Sequence, residues 1–398
     1  MKNYSVIACL LCILFFIVAC EKLEPSAPAD HEVLDGPVEG LSNAQTLQHL
    51  RGDAAFTDAV FTSETGLGPV FVANSCAGCH AGDGKGHLFT TLTRFGQSDQ
   101  TGNHFLNQGG PQLQHRALPG FQPEELPAGA PFTKLVAPAI SGLGFIDAVE
   151  DADLIAMADP NDANGDGISG ELSVGPLPPY VIPRATSIPQ NGQFICRFGK
   201  KAGAYDLLMQ TAKAYNQDMG IISGYEPLDP YSNLAGDPEI TAQVIQDNVF
   251  YQKTLKAPPA RNQNDADVIT GKQIFISIGC ESCHKQTLKT GHSPISSISY
   301  KTFHPYTDLL LHDMGPELND GYTEGSAKAA EWRTAALWGL GLSKNSQGGR
   351  YFLLHDGRAT NINQAIMLHG GEGNNSRVKY NALSENDKQK LVKFLESL

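Results

Sequence analysis

The sequence predicts an all-α protein of two tandem units joined by long irregular loops, and three observations carry that prediction. A Cys-x-x-Cys-His pattern occurs twice, at Cys76-Ala77-Gly78-Cys79-His80 and at Cys280-Glu281-Ser282-Cys283-His284. A short segment leads into each, with helical apolar spacing before the second, and a Gly-Leu-Gly segment follows each at a nearly equal distance. The 398 residues exceed one core of average size, and 41 Gly with 24 Pro break the intervening chain into turns.

Taken in order, the chain starts with Lys2 and an apolar run from Val6 to Ala19 that ends in Ile17-Val18-Ala19-Cys20. This resembles the lipobox of bacterial lipoproteins. The resemblance implies a signal peptide over residues 1–19, cleavage before Cys20 and a diacylglycerol on the Cys20 thiol, with more than one acyl chain giving stable anchoring. The alternative is an uncleaved span, but the run is shorter than the ~20 residues a span needs. Cys9 and Cys12 would leave with the signal. Residues 20–40 are polar and rich in Pro and Ala, a tether that buries too little surface to fold. The expected location is the bacterial cell envelope, lipid-anchored to the membrane on the periplasmic side or at the outer-membrane surface.

The first unit spans 41–240 and the second 241–398. Beyond the leader and Cys20, four cysteines lie in the two pairs and Cys196 stands alone, so disulfides do not explain the pairs. Two cysteines three apart on a turn place their sulfurs over the two vinyl groups on one haem edge. The following histidine then reaches under the ring to the iron. The motifs therefore predict two covalent c-type haems, on Cys76, Cys79 and His80 and on Cys280, Cys283 and His284, within cytochrome c-like domains. A four-thiolate zinc site and a disulfide oxidoreductase are the alternatives, and neither demands a histidine after each pair.

Within the first unit, Ala202 to Met219 has helical spacing at Tyr205, Leu208, Met209, Ala212 and Tyr215, which reads as core. Asp162, Asn164 and Asp166 alternate before Gly167, as in a calcium loop, but Ser173 replaces the expected glutamate; an Asx-rich turn is the alternative. The formal charge of -13 excludes a nucleic-acid-binding surface and leaves room for a small basic electron-donor protein as partner.

The motifs GLGFIDAV, DANGDGISG, RFGKKA, DMGI, FYQKTLKAPPAR, IGCESCH, YTDLLLHDMGP, EWRTAALWGLGL, LLHDGRA and AIMLHGGE follow one another through the chain. In this order they resemble the di-haem oxidoreductases of peroxidase type, relatives of the bacterial di-haem cytochrome c peroxidases and of the di-haem enzyme of methylamine utilisation. The resemblance covers Phe71 to Leu398. It implies one haem that stores an electron and another that meets hydrogen peroxide or a related oxidant. Cys196 departs from it, standing where glycine is expected before Arg-Phe-Gly.

The resemblance also implies roles. His369 occupies the slot where the relatives place a Met or Tyr as second ligand of the C-terminal haem iron, with Met314 and Met367 as rivals. The corresponding stretch of the first unit ends in Asp159, which makes the N-terminal haem the expected substrate site; His87, His104 and His115 are the candidates to cap it. Asp147 is the candidate proton carrier, with a structural helix cap as its alternative. His312 matches a histidine near the second haem that orders a propionate or bridges the domains. Trp332 and Trp338 are read as core or as aids to electron transfer. Electrons are expected to enter at the C-terminal haem; a pure electron carrier without peroxide chemistry is the alternative.

Overall fold

The computed structural model describes Leu34, residues 36–99 and residues 102–398. The leader, Cys9, Cys12, Cys20 and most of the tether lie outside the described residues. Ten α-helices occur among the described ones: α1 (Asn43–Asp53), α2 (Leu143–Asp147), α3 (Asp151–Met157), α4 (Leu207–Met219), α5 (Ala242–Thr254), α6 (Ala266–Ser277), α7 (Ser343–Ser346), α8 (Ile362–Met367), α9 (Asn374–Asn381) and α10 (Glu385–Ser397). None is long and apolar enough to cross a membrane.

The longer helices start where the sequence supplies caps. Ser42 and Gln45 form a capping box on α1, and Asp206, Thr241, Asp265 and Ser384 each accept a first-turn backbone N–H of α4, α5, α6 and α10. Gly220, with φ at +67°, ends α4 in a left-handed turn.

The all-α expectation does not hold. The chain is about 33% helix and 12% strand, a mixed fold in which, among the described residues, the long connections form six two-stranded antiparallel sheets. The longest pairs Leu92–Phe95 with Phe132–Leu135, and another pairs Leu311–Asp313 with Glu331–Arg333. Phe132 to Leu135 alternates exposed and buried, the period of a half-buried strand. Stretches too broken by Gly and Pro to continue as helix still run through the interior, and pairing satisfies their backbone groups.

Two helix pairs organise the whole. α1 packs on α5, and α6 packs on α10. Each crossing is made at a glycine: a Cβ on Gly52 would strike the Asp247 carbonyl, and one on Gly271 would strike the Lys390 carbonyl. The repeated Gly-Leu-Gly segments dock onto these same pairs. Gly142 and Gly339 take φ of +76° and +68°, and the next glycine, Gly144 or Gly341, lies directly against the carbonyl of Lys253 on α5 or of Glu396 on α10. Both glycines of the tripeptide are thus required by geometry, one for a left-handed turn and one for close approach. Because α5 packs on α1, the chain through Thr254 stays with the N-terminal half. Gly341→Ala is expected to cost about 1–3 kcal/mol through overpacking against Glu396, read as a lower urea midpoint; an unchanged midpoint would show that the contact is not tight.

One core gathers Ile195, Tyr205, Leu207, Tyr215 and Val249, and a second gathers Phe275, Tyr306, Leu391 and Phe394. Phe303 and Leu309, from the C-terminal half, belong to the first core. A fully buried ion pair, Arg197 with Asp151, fixes the RFGKKA segment against the start of α3, and the same guanidinium donates to the Val149 carbonyl at 2.5 Å.

Candidate functional site

Each Cys-x-x-Cys-His motif is a single tight turn. The Cys76 carbonyl accepts from the N–H of Cys79 and of His80, at 3.1 and 3.0 Å, and the Cys280 carbonyl accepts from His284 at 3.0 Å. All four cysteines are free of disulfides. The histidine rings are held alike. Nδ1 of His80 lies 2.9 Å from the Pro138 carbonyl and Nδ1 of His284 lies 3.0 Å from that of Tyr306. A carbonyl can only accept, so Nδ1 carries the proton and Nε2 presents its lone pair. Burial lowers both imidazoles to about 4, keeping them neutral. This is the tautomer and charge that an iron ligand needs.

Both motifs open into one cavity of about 480 Å³, lined by Cys76, Cys79, His80, Cys280, Cys283 and His284. One face of α4, with Leu207, Gln210, Thr211, Ala214 and Asp218, runs along it. The four sulfurs do not assemble as a zinc site would require: among the described residues the one cluster of His, Cys, Asp and Glu donors is Cys283 with Asp308 and His312. Burial pushes the thiols of Cys76 and Cys280 up to about 12 and that of Cys79 to about 11, against ready thiolate chemistry. Paired thiols on a turn, a neutral imidazole with its Nε2 free, and apolar walls fit a haem at each motif.

His369 lines the same cavity and repeats the arrangement, its Nδ1 lying 2.8 Å from the Ala365 carbonyl. It stands close enough to His284 to help depress that imidazole's pKa. With this geometry agrees the family whose description reads "Di-haem oxidoreductase, putative peroxidase", which matches residues 29–95 and 133–398.

The chain belongs to the di-haem oxidoreductase family.

No curated protein matches this oxidoreductase. Two solved structures align with it loosely, each at 14% identity and over 94% of this chain. One is hydrazine synthase of Kuenenia stuttgartiensis pressurised with xenon, covered over 98% of its length with a TM-score of 0.38; the other is a MauG-like protein associated with microbial copper homeostasis, covered over 94% with a TM-score of 0.39.

The other expected residues of the oxidoreductase divide between the cavity wall and its surroundings. Asp147 is not in the cavity. Its two oxygens are taken by Arg184 at 2.5 Å and Lys253 at 2.9 Å. Burial alone would raise its pKa, but those two cations override it and hold the carboxyl well below the usual range. Asp147 therefore ties α2 to α5, with both oxygens paired to cations outside the cavity. His312 does line the cavity, buried with Nδ1 at 2.6 Å from Glu372, Nε2 at 3.0 Å from Asp308 and the Cys283 sulfur at 3.6 Å. Burial pulls its pKa down, yet Asp308, Cys283 and Glu372 hold it well above the ordinary imidazole range, which favours the imidazolium at this position. Glu372 also accepts from Ser169, so His312 joins the second attachment site to the DANGDGISG loop.

In that loop Asp162 accepts from the Gly167 N–H, Asn164 from Asp166 and Asp166 from Ile168, the pattern of successive Asx turns. Met314 lines the cavity beside His369, whereas Met367 is exposed and does not. His87, His104 and His115 do not line it. Trp332 and Trp338 do. Cys196 is buried in the first core with its thiol pushed up to about 11 by burial, the state of an inert thiol.

The sequence reading missed His355 and Asp218. His355 stacks on Trp332, with ring centroids 3.7 Å apart and planes 7° off parallel, and its Nε2 lies 3.1 Å from Asp320. The LLHDGRA segment had served only as a landmark. Asp218 lines the cavity near both cysteines of the first motif, accepts from Gln112, and is raised by burial to about 6.

Proposed function

We propose that the chain is a c-type di-haem peroxidase of the cell envelope, in which the haem at His80 meets hydrogen peroxide or a related oxidant and the haem at His284 stores and delivers electrons. One observation supports this division most. Among the described residues five histidines line the cavity, but Nε2 of His312 and of His355 is engaged by a carboxylate, which leaves His80, His284 and His369 with Nε2 atoms that no described residue takes up. Three imidazoles for two irons give one iron two strong ligands and the other one. His369 stands by His284, so the doubly ligated iron is the C-terminal one and the open position falls to the N-terminal one.

When bound, haem supplies the reductive cleavage of the O–O bond, in which peroxide takes up two electrons and two protons to give two waters. The protein's share is to position and to move protons. The carbonyls of Pro138, Tyr306 and Ala365 fix the three imidazoles. Asp218, with a carboxyl raised to about 6 beside Cys76 and Cys79, holds or releases a proton near neutral pH and replaces Asp147 as the proton carrier. The lipobox at Cys20 gives the membrane anchor, and a small electron-donor protein is the natural reductant.

Purified holoprotein supplied with ascorbate and a small redox mediator should consume peroxide. Asp218 is neutral below about pH 6 and charged above it, so as a base it works above, and the rate should rise with pH through about 6. Asp218→Asn should lower the rate about 100-fold or more and remove that rise. A protein with two haems that leaves peroxide untouched at every pH is instead an electron carrier.

A further inference from the structure

The chain carries a formal charge of -13, yet the cavity wall is cationic. Among the described residues six Lys and Arg line it, Lys85, Arg94, Lys200, Lys213, Arg333 and Arg377, against three acids, Asp218, Glu324 and Glu372. Glu324 pairs with Arg94 at 2.7 Å and Glu372 with His312, so Asp218, hydrogen-bonded to the neutral Gln112, is the one acid left against Lys85, Lys200, Lys213, Arg333 and Arg377. The excess positive charge is therefore not neutralised from within the wall, and enclosed cations without counter-charges are costly unless something anionic arrives.

Three of these cations are neighbours at the His80 end: Lys200 stands close enough to His80 to depress its imidazole, and Lys85 and Arg333 stand close enough to Lys200 to depress its amine. Lys85 follows the first motif, and its backbone is pinned where Ser346 Oγ donates to its carbonyl at 2.9 Å and Gln347 donates to the neighbouring Gly86 carbonyl at 2.8 Å. Lys200 and Arg333 are bound to one another through the backbone, Arg333 N–H donating to the Lys200 carbonyl at 3.0 Å, while Arg333 Nε donates to the Gly199 carbonyl at 3.0 Å. No carboxylate among the described residues forms an ion pair with any of the three. The acids that act on them electrostatically have other partners: Asp356, which acts on Lys200, binds Arg358 at 2.6 Å, and Asp308, which acts on Arg333, binds His312.

We infer that Lys85, Lys200 and Arg333 form a carboxylate-binding cradle beside His80, and that its occupants are the propionate groups of the haem attached at Cys76 and Cys79. The inference rests on the haem reading of the first motif. Each haem carries two propionates, and a ring bound at its vinyl edge through the cysteines directs its propionate edge away from them. Burial and mutual repulsion lower Lys200 to about 7, and burial lowers Lys85 to about 8 and Arg333 to about 10. A carboxylate guest reverses all three effects at once.

The test is spectroelectrochemical titration of holoprotein bearing Lys200→Gln, Lys85→Gln or Lys200→Arg, with covalent haem counted in the same samples. Removing a cation beside a haem favours its oxidised form, so Lys200→Gln and Lys85→Gln should lower the midpoint potential of the His80 haem and leave the His284 haem in place, while Lys200→Arg restores the wild-type value. If the occupant is instead a soluble carboxylate, sodium acetate shifts the potential of the His80 haem saturably in the wild type and not in Lys200→Gln, whereas a cradle filled by propionates does not respond to acetate. An acetate-dependent shift overturns the propionate assignment and keeps the cradle. Unmoved potentials with no acetate effect overturn both. Fewer than two haems in the wild type would show that the haem reading failed and not the cradle alone.

Discussion

Replacing Cys76 and Cys79 together by serine is expected to give a protein with one covalent haem instead of two and with peroxide consumption at background. The two thiols sit on one turn closed by the Cys76 carbonyl, and no neighbouring cysteine can replace them. His80 would keep its Pro138 anchor, but one coordination bond does not retain a haem that thioethers no longer hold. The wall around this end, with Leu135, Val136, Ile140 and Leu207, would then face solvent, and unfilled apolar cavities lower stability by roughly 20–30 cal/mol per Å³. A fall in Tm should therefore accompany the lost activity, with the spectrum of the second haem preserved. A double variant that still carries two haems, or still consumes peroxide, would contradict the assignment of the first motif.

His369→Ala is expected to change the other half of the spectrum. The Ala365 carbonyl holds its Nδ1 and the ring stands near His284, so removing the ring should leave the C-terminal iron with one imidazole. The low-spin signal of a bis-imidazole haem should give way to a high-spin one, and turnover should fall because the electron-storing iron is no longer held in one ligation state. Met314 is the rival nearby, its methyl group beside Gly373 as His369 is. If Met314 is the native ligand, His369→Ala leaves the signal low-spin and Met314→Ala abolishes it. The two variants therefore separate the alternatives without any appeal to activity.

What could be read from the sequence was what local geometry dictates. Cys-x-x-Cys-His is a statement about one turn, and both turns form. The repeated Gly-Leu-Gly was legible as a pattern, although its meaning, a left-handed residue followed by a close approach to a helix carbonyl, needed the positions of Lys253 and Glu396. The short strands were not legible, because Leu311–Asp313 and Glu331–Arg333 pair across a loop and neither segment alone announces a partner. The pairing of Asp147 was not legible for the same reason: Arg184 and Lys253, which take up its two oxygens, are distant in sequence. Asp218 was passed over within an apolar stripe assigned to the core, though the opposite face of the same helix lines the cavity. Lys85 and Lys200 gave no signal, since an unpaired cation is recognisable only once its surroundings are known.

The most direct test of the division of labour is the electron paramagnetic resonance spectrum of the holoprotein, oxidised and half-reduced, before and after stoichiometric hydrogen peroxide. The account predicts one high-spin haem whose signal is lost on adding peroxide, beside one low-spin haem whose signal depends on His369. Two low-spin haems, both indifferent to peroxide, would contradict it.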